Sequence, residues 1–198
     1  MDFDLYKALD SYKPTNTEEI KSLNEIKKFL KNNENCFSRT NLKGHITAGA
    51  LVIDKDCNVL LNHHKILDKW LHFGGHSDGE ANSLNVAKRE VMEETGIVVS
   101  ESLEPFLVIT TYDDNYFDTN KKVLNSIYYY RIITDEVPNL ENTHYDELEL
   151  ESDFDLYYVD FSNFDSFIKK EMESGKVDKK IGREMLHVID IYKEIYGG

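Results

Sequence analysis

Three glutamates, Glu90, Glu93 and Glu94, stand within one five-residue stretch directly behind Arg89. On a helix, residues three and four apart share a face, so these carboxylates project from one side within about one turn. Held in a partly buried cleft, each like-charged pair at roughly 5 Å and an effective dielectric of about 20 costs up to about 3 kcal/mol. In solvent the cost falls to about a few tenths of a kcal/mol. Two readings follow. Either the three side chains face water, or a cation sits among them. Mg²⁺ or Mn²⁺ is the natural candidate, because hard cations choose carboxylate oxygens. Arg89, four residues before Glu93, is spaced to hold that carboxylate in place.

Just upstream runs Gly74-Gly75-His76-Ser77-Asp78-Gly79-Glu80. The paired glycines let the backbone approach a ligand closely and present a carbonyl or amide to it. The Gly79 turn leads into a helix N-terminus, which suits an anionic group. Lys and Arg total 23 and Asp and Glu total 37, so the formal charge is 23 − 37 = −14. Such a chain has little intrinsic attraction for a diphosphate. A bridging divalent ion neutralises the glutamates and the phosphates together. The residues therefore point to a metal–phosphate site, with His76 in the glycine loop as a further phosphate contact.

The stretch from Gly75 to Ile97 resembles the Nudix box. That pattern is Gly, five residues, Glu, seven residues, then Arg-Glu-apolar-x-Glu-Glu-x-Gly-apolar. Arg89, Glu90, Val91, Glu93, Glu94, Gly96 and Ile97 match the second half, and the spacing from Gly75 to Arg89 fits. The first Glu position holds Ala81, with a carboxylate one residue earlier at Glu80. The form Gly-Gly-His-x-Asp-Gly is similar to a bacterial Nudix branch. Gly44-His45-Ile46-Thr47-Ala48, Val59-Leu60-Leu61, His64-Lys65 and Trp70-Leu71 fit that branch too, so the resemblance covers about residues 37 to 97.

The resemblance implies an α/β/α sandwich around a mixed β-sheet. It implies a metal-dependent pyrophosphohydrolase that cleaves a nucleoside diphosphate linked to another moiety, by water attack on phosphorus. Glu90, Glu93 and Glu94 would ligate Mg²⁺ or Mn²⁺, with the Gly74 carbonyl as helper. Arg89 would orient the glutamates, and Gly75 and His76 would line the substrate. The general base would be Glu90 or a glutamate of the acidic stretch 145–153, Glu151 first and Glu149 behind it. Two rivals share the fold: a non-catalytic nucleotide-binding or regulatory module, which Ala81 favours, and a diphosphate isomerase, which needs a Cys–Glu pair. Cys36 and Cys57 both lie outside the box.

The elements that must position these groups are legible in outline. Residues 83 to 95 read as a helix, capped by Asn82 or Ser83 and ended by Gly96. Residues 45–53 read as a strand that turns at 54–58 and returns from Val59 as a hairpin. Trp70 to Phe73 reads as a short strand closed by Gly74-Gly75. Strands are expected at 106–112, 124–133 and 154–159, with helices around Phe164–Met172 and Ile181–Tyr192. Thr15-Asn16-Thr17-Glu18 reads as a capping box opening an amphipathic helix over 17–31. Residues 1–36 are expected to form an N-terminal helical appendage and residues 37–198 the catalytic domain.

The acidic balance argues against gripping a nucleic acid duplex or an anionic membrane. Two cysteines make neither a disulfide framework nor a zinc site and suggest a reducing, cytoplasmic setting. The N-terminus lacks the apolar core of a secretory signal. His63 and His64 point opposite ways on a strand and fit no closed metal site. Asp54, Asp56 and Asn58 imitate an EF-hand start, but Val59 and Lys65 occupy the positions that need Gly and Glu. Asp113, Asp114 and Asp118 read as a solvated loop, and Tyr128-Tyr129-Tyr130 as strand residues. A homodimer is compatible with the resemblance.

Overall fold

The computed structural model describes residues 5–41, 43–99, 105–111, 125–134, 137–139, 141, 143 and 154–196. Two helices lead, α1 (Leu5–Ser11) and α2 (Thr17–Asn32). Strands β1 (His45–Asp54), β2 (Asn58–His64), β3 (Lys69–Leu71) and β4 (Phe73–His76) follow. Helix α3 (Ser83–Thr95) precedes β5 (Pro105–Thr111), β6 (Asn125–Thr134) and β7 (Phe154–Asp160). Helices α4 (Phe164–Ser174) and α5 (Lys179–Tyr196) close the chain.

The strands form one mixed sheet in the order β3-β2-β1-β6-β5, with β4 on β1 and β7 on β2. β1 and β6 run parallel; the other pairs are antiparallel. Alternation along β1 and β2 assigns the two faces. Leu51, Ile53, Val59 and Leu61 pack with Phe164, Ile168, Met185, Val188 and Ile189 of α4 and α5. Ala50, Val52 and Leu60 pack with Phe73, Val91 and Ile97 on the α3 side. The expected α/β/α sandwich is the observed one. No described helix is long and apolar enough to cross a membrane.

Three local expectations change. The hairpin of β1 and β2 is paired only near its turn, at Ile53 and Val59. Beyond it β1 pairs with β4 and β2 with β3, so the run Lys69–His76 enters between two splaying strands. Gly74 and Gly75 do not close a strand; they lie inside β4, opposite Gly49 and Ala48. A Cβ at 74 would fall 2.6 Å from the Ala48 carbonyl oxygen and 2.7 Å from Gly49 Cα, so β4 reaches β1 only with glycine there. Helix α2 starts at Thr17 as expected, but its cap is shifted by one residue. Asn16 is the cap, its side chain accepting from the Glu19 N–H at 2.9 Å, and Glu19 reaches back to the Thr15 N–H at 2.7 Å. Asn16 in extended conformation meets the capping geometry, and its box partner is Glu19 rather than Glu18. Helix α1 has too few apolar positions, Leu5 and Leu9, to be legible beforehand.

Candidate active site

Helix α3 is set by its ends and its buried stripe. Asn82 accepts from the Leu84 and Asn85 N–H groups, and Gly96, at φ 73°, donates its N–H to the Met92 carbonyl. Leu84, Val86, Ala87, Val91 and Thr95 are buried. That orientation leaves Arg89, Glu90, Glu93 and Glu94 at the boundary, half-buried rather than water-facing. The Glu90 side chain is 13% exposed and that of Glu93 28%. Both are therefore shielded enough for like charges to repel appreciably.

Each carboxylate has an anchor. Arg89 donates to Glu93 Oε2 at 2.9 Å, the contact its spacing suggested. The same guanidinium lies 2.8 Å from Glu90 Oε1 and donates to the His76 carbonyl at 2.6 Å. The Gly74 N–H donates to Glu94 Oε2 at 3.3 Å. A Cβ at Gly75 would lie within 2.8 Å of all three heavy atoms of the Glu90 carboxyl group. Glycine at 75 therefore leaves the room in which Glu90 sits. β4 and α3 are locked together through the residues that carry the candidate chemistry.

Among the described residues, no group of three or more His, Cys, Asp or Glu is gathered as a metal cage. The donor set nonetheless suits a hard divalent cation. Three half-buried carboxylates and one guanidinium leave a local formal charge of −3 + 1 = −2. Oxygen donors of that charge match Mg²⁺ or Mn²⁺ rather than a soft metal.

The remaining candidates divide. His76 Nδ1 lies 2.8 Å from Nε2 of the buried His45, a pairing of residues 31 apart that the sequence did not signal. Glu80, the carboxylate nearest the vacant first-Glu position, accepts from the Asn82 N–H at 2.7 Å and so braces the approach to α3. Ala81 is exposed. His63 bonds Asp68 and stacks on Trp70, whereas His64 meets Phe154, so neither joins the site. Asp54 accepts from the Asp56 and Asn58 N–H groups and closes a turn. Glu149 and Glu151 lie outside the described residues, as do Asp113, Asp114 and Asp118.

A NUDIX domain family model matches residues 43–167. Among solved structures, an Ap4A hydrolase binary complex from C. elegans is 15% identical, covering 75% of this chain and 95% of that one, with a TM-score of 0.48. A NUDIX family hydrolase from Clostridium perfringens is 18% identical, covering 75% and 97%, also at 0.48. A MutT protein from Bacillus halodurans is 20% identical, covering 61% and 71%, at 0.42. A search of curated proteins found no match.

Proposed function

Because the chain belongs to the NUDIX domain family, we propose that it is a metal-dependent pyrophosphohydrolase, a hydrolase of phosphoric anhydride bonds, acting on a nucleoside diphosphate linked to another moiety. One observation carries this reading: the carboxylates of α3 are half-buried and docked on Gly74-Gly75, where an isolated acidic face would have turned to solvent. Glu90, Glu93 and Glu94, with the Gly74 carbonyl, are the residues that would hold Mg²⁺ or Mn²⁺. When bound, the ion neutralises the diphosphate and makes water more acidic.

The chain's own groups do the rest. Arg89 fixes the orientation of Glu90 and Glu93 and ties both to the His76 carbonyl. Gly75 and His76 line the substrate side of that loop. A carboxylate general base, Glu90 or Glu151 (with Glu149 behind it), takes the proton from the attacking water. The water oxygen bonds to phosphorus, the bridging P–O bond breaks, and the bridging oxygen leaves with the second phosphate.

The proposed setting is the cytoplasm. Cys36 is buried and Cys57 exposed, and neither is in a disulfide, as a reducing compartment permits. Against the isomerase reading, Cys36 packs in an apolar cluster, where burial pushes its thiol up, and Cys57 is exposed in the turn after β1. A ligand-binding module is the remaining alternative, favoured by Ala81. A phosphate-release screen separates the two. ADP-ribose, other nucleotide sugars and dinucleoside polyphosphates are offered with Mg²⁺, with Mn²⁺ or with EDTA. The hydrolase turns over at least one compound in a metal-dependent way. The module binds one by calorimetry and turns over none.

A further inference from the structure

The turn between β4 and α3 is gripped by the chain that leads into β1, Phe37 and Arg39 ahead of the family-matched segment and His45 and Ile46 at its start. Residues 36–41 and 43–46 touch it at four points. The Ser77 hydroxyl, buried, donates to the Ile46 carbonyl at 2.8 Å. The Gly79 N–H donates to the Phe37 carbonyl at 2.9 Å. His45 meets His76 at 2.8 Å. The Arg39 guanidinium forks onto Asp78, Nε to one carboxylate oxygen and an Nη to the other, each at 2.5 Å. The strap is itself tied at its base, where the Ile46 N–H donates to the Cys36 carbonyl at 2.7 Å.

Asp78 holds a left-handed backbone, φ 50°, a conformation that Asp and Asn enter more readily than other side-chain-bearing residues. The same turn carries the His76 carbonyl that receives Arg89. The turn is therefore held by two guanidiniums, Arg39 at Asp78 and Arg89 at the His76 carbonyl. A two-point fork gives direction as well as attraction, which a single ammonium contact would not.

We infer that Arg39 and Asp78 are a positioning pair: their fork fixes the 76–79 turn so that Arg89 holds Glu90 and Glu93 in register for hydrolysis. The inference rests on the proposed pyrophosphohydrolase function for its catalytic consequence. Neither residue touches the reacting atoms. The local hold on the turn stands independently of the reaction.

Asp78→Asn is the informative variant, since Asn tolerates the left-handed backbone while losing the charge that pairs with Arg39. Arg39→Gln removes the other half, and Arg39→Lys keeps charge without the fork. Two readouts are needed on the full chain. The first is amide hydrogen exchange over residues 76–81 in metal-free protein. The second is kcat and KM with Mg²⁺ on whichever of ADP-ribose or the dinucleoside polyphosphates is cleaved fastest. Asp78→Asn and Arg39→Gln are expected to speed exchange about fivefold at an unchanged thermal midpoint. They are expected to lower kcat about tenfold while KM moves less than about twofold, with Arg39→Lys recovering part of the loss. Unchanged exchange overturns the proposal, and so does faster exchange with unchanged kcat. A wild-type chain inert on every compound, together with a loosened turn in Asp78→Asn, overturns the hydrolase reading and upholds the strap's hold on the turn.

Discussion

Glu90 owes its place to an absence, the missing side chain at Gly75. The carboxyl group sits where a Cβ would be, so even alanine at 75 must push Glu90 or β4 aside. Gly75→Ala is expected to lower turnover by about 10- to 100-fold through that displacement. Steady-state kinetics alongside thermal melts checks it. An unchanged rate would mean that the Glu90 position is not what the reaction uses. The spacing Arg89–Glu93 was legible because it is local to one helix turn. The Arg89 bond to the His76 carbonyl and the Arg39–Asp78 fork were not, because each joins residues from different elements and nothing in their spacing announces it.

At the scale of elements, the clearest sequence reading was α3, where a capping Asn and a terminal Gly bracket a periodic stripe. What the sequence obscured was pairing. The strand, turn and return strand over residues 45–61 suggest a hairpin, yet tertiary wedging by β3 and β4 reduces the contact to its turn end. The capping box of α2 was visible, but its acidic partner is one residue further on. That shift has a consequence, because Glu19 is buried. Burial alone would raise its pKa, but bonds from His187, the Thr15 backbone and Tyr12 hold it below the usual value. The Glu19 carboxylate, 3.7 Å from His187 Nε2 on α5, raises the histidine against the opposing effect of burial. A raised histidine contributes stability that is complete below its unfolded value near 6.5 and fades as pH climbs through the higher folded value. A lowered glutamate contributes stability that is complete above its unfolded value near 4.5 and fades as pH falls through the lower folded value. The stability gap between wild type and His187→Gln, measured by urea denaturation, is therefore expected to be widest between about pH 4.5 and 6.5 and to shrink on either side. A gap that grows above pH 7 would contradict the pairing of α2 with α5.

For the whole molecule, the helices ahead of residue 37 belong to the same core as the site helix. Leu23, Ile26, Phe29, Leu30 and Cys36 cluster with Ile46 and Ala48 of β1 and with Leu84, Val86 and Ala87 of α3. We therefore propose that residues 1–36 and 37–198 unfold together. Phe29 is 7% exposed, and Phe29→Ala is expected to cost about 3–5 kcal/mol. Calorimetry should show a single transition moved to lower temperature. Two transitions, only one of them moved, would make the N-terminal helices an independent unit. The net charge of −14 sets the frame for all of this: so acidic a molecule approaches a phosphorylated substrate only with cationic help at the site.

That dependence makes Glu93→Gln the most direct test. The exchange keeps shape and the neighbouring Arg89 while removing one negative donor from the half-buried face. On the compound that wild type cleaves fastest, with Mg²⁺ or Mn²⁺ titrated by calorimetry in parallel, turnover is expected to fall about 10³-fold and metal affinity with it, at an unchanged thermal midpoint. Wild-type turnover and wild-type metal affinity in Glu93→Gln would contradict the assignment of this face as the metal-dependent hydrolytic centre.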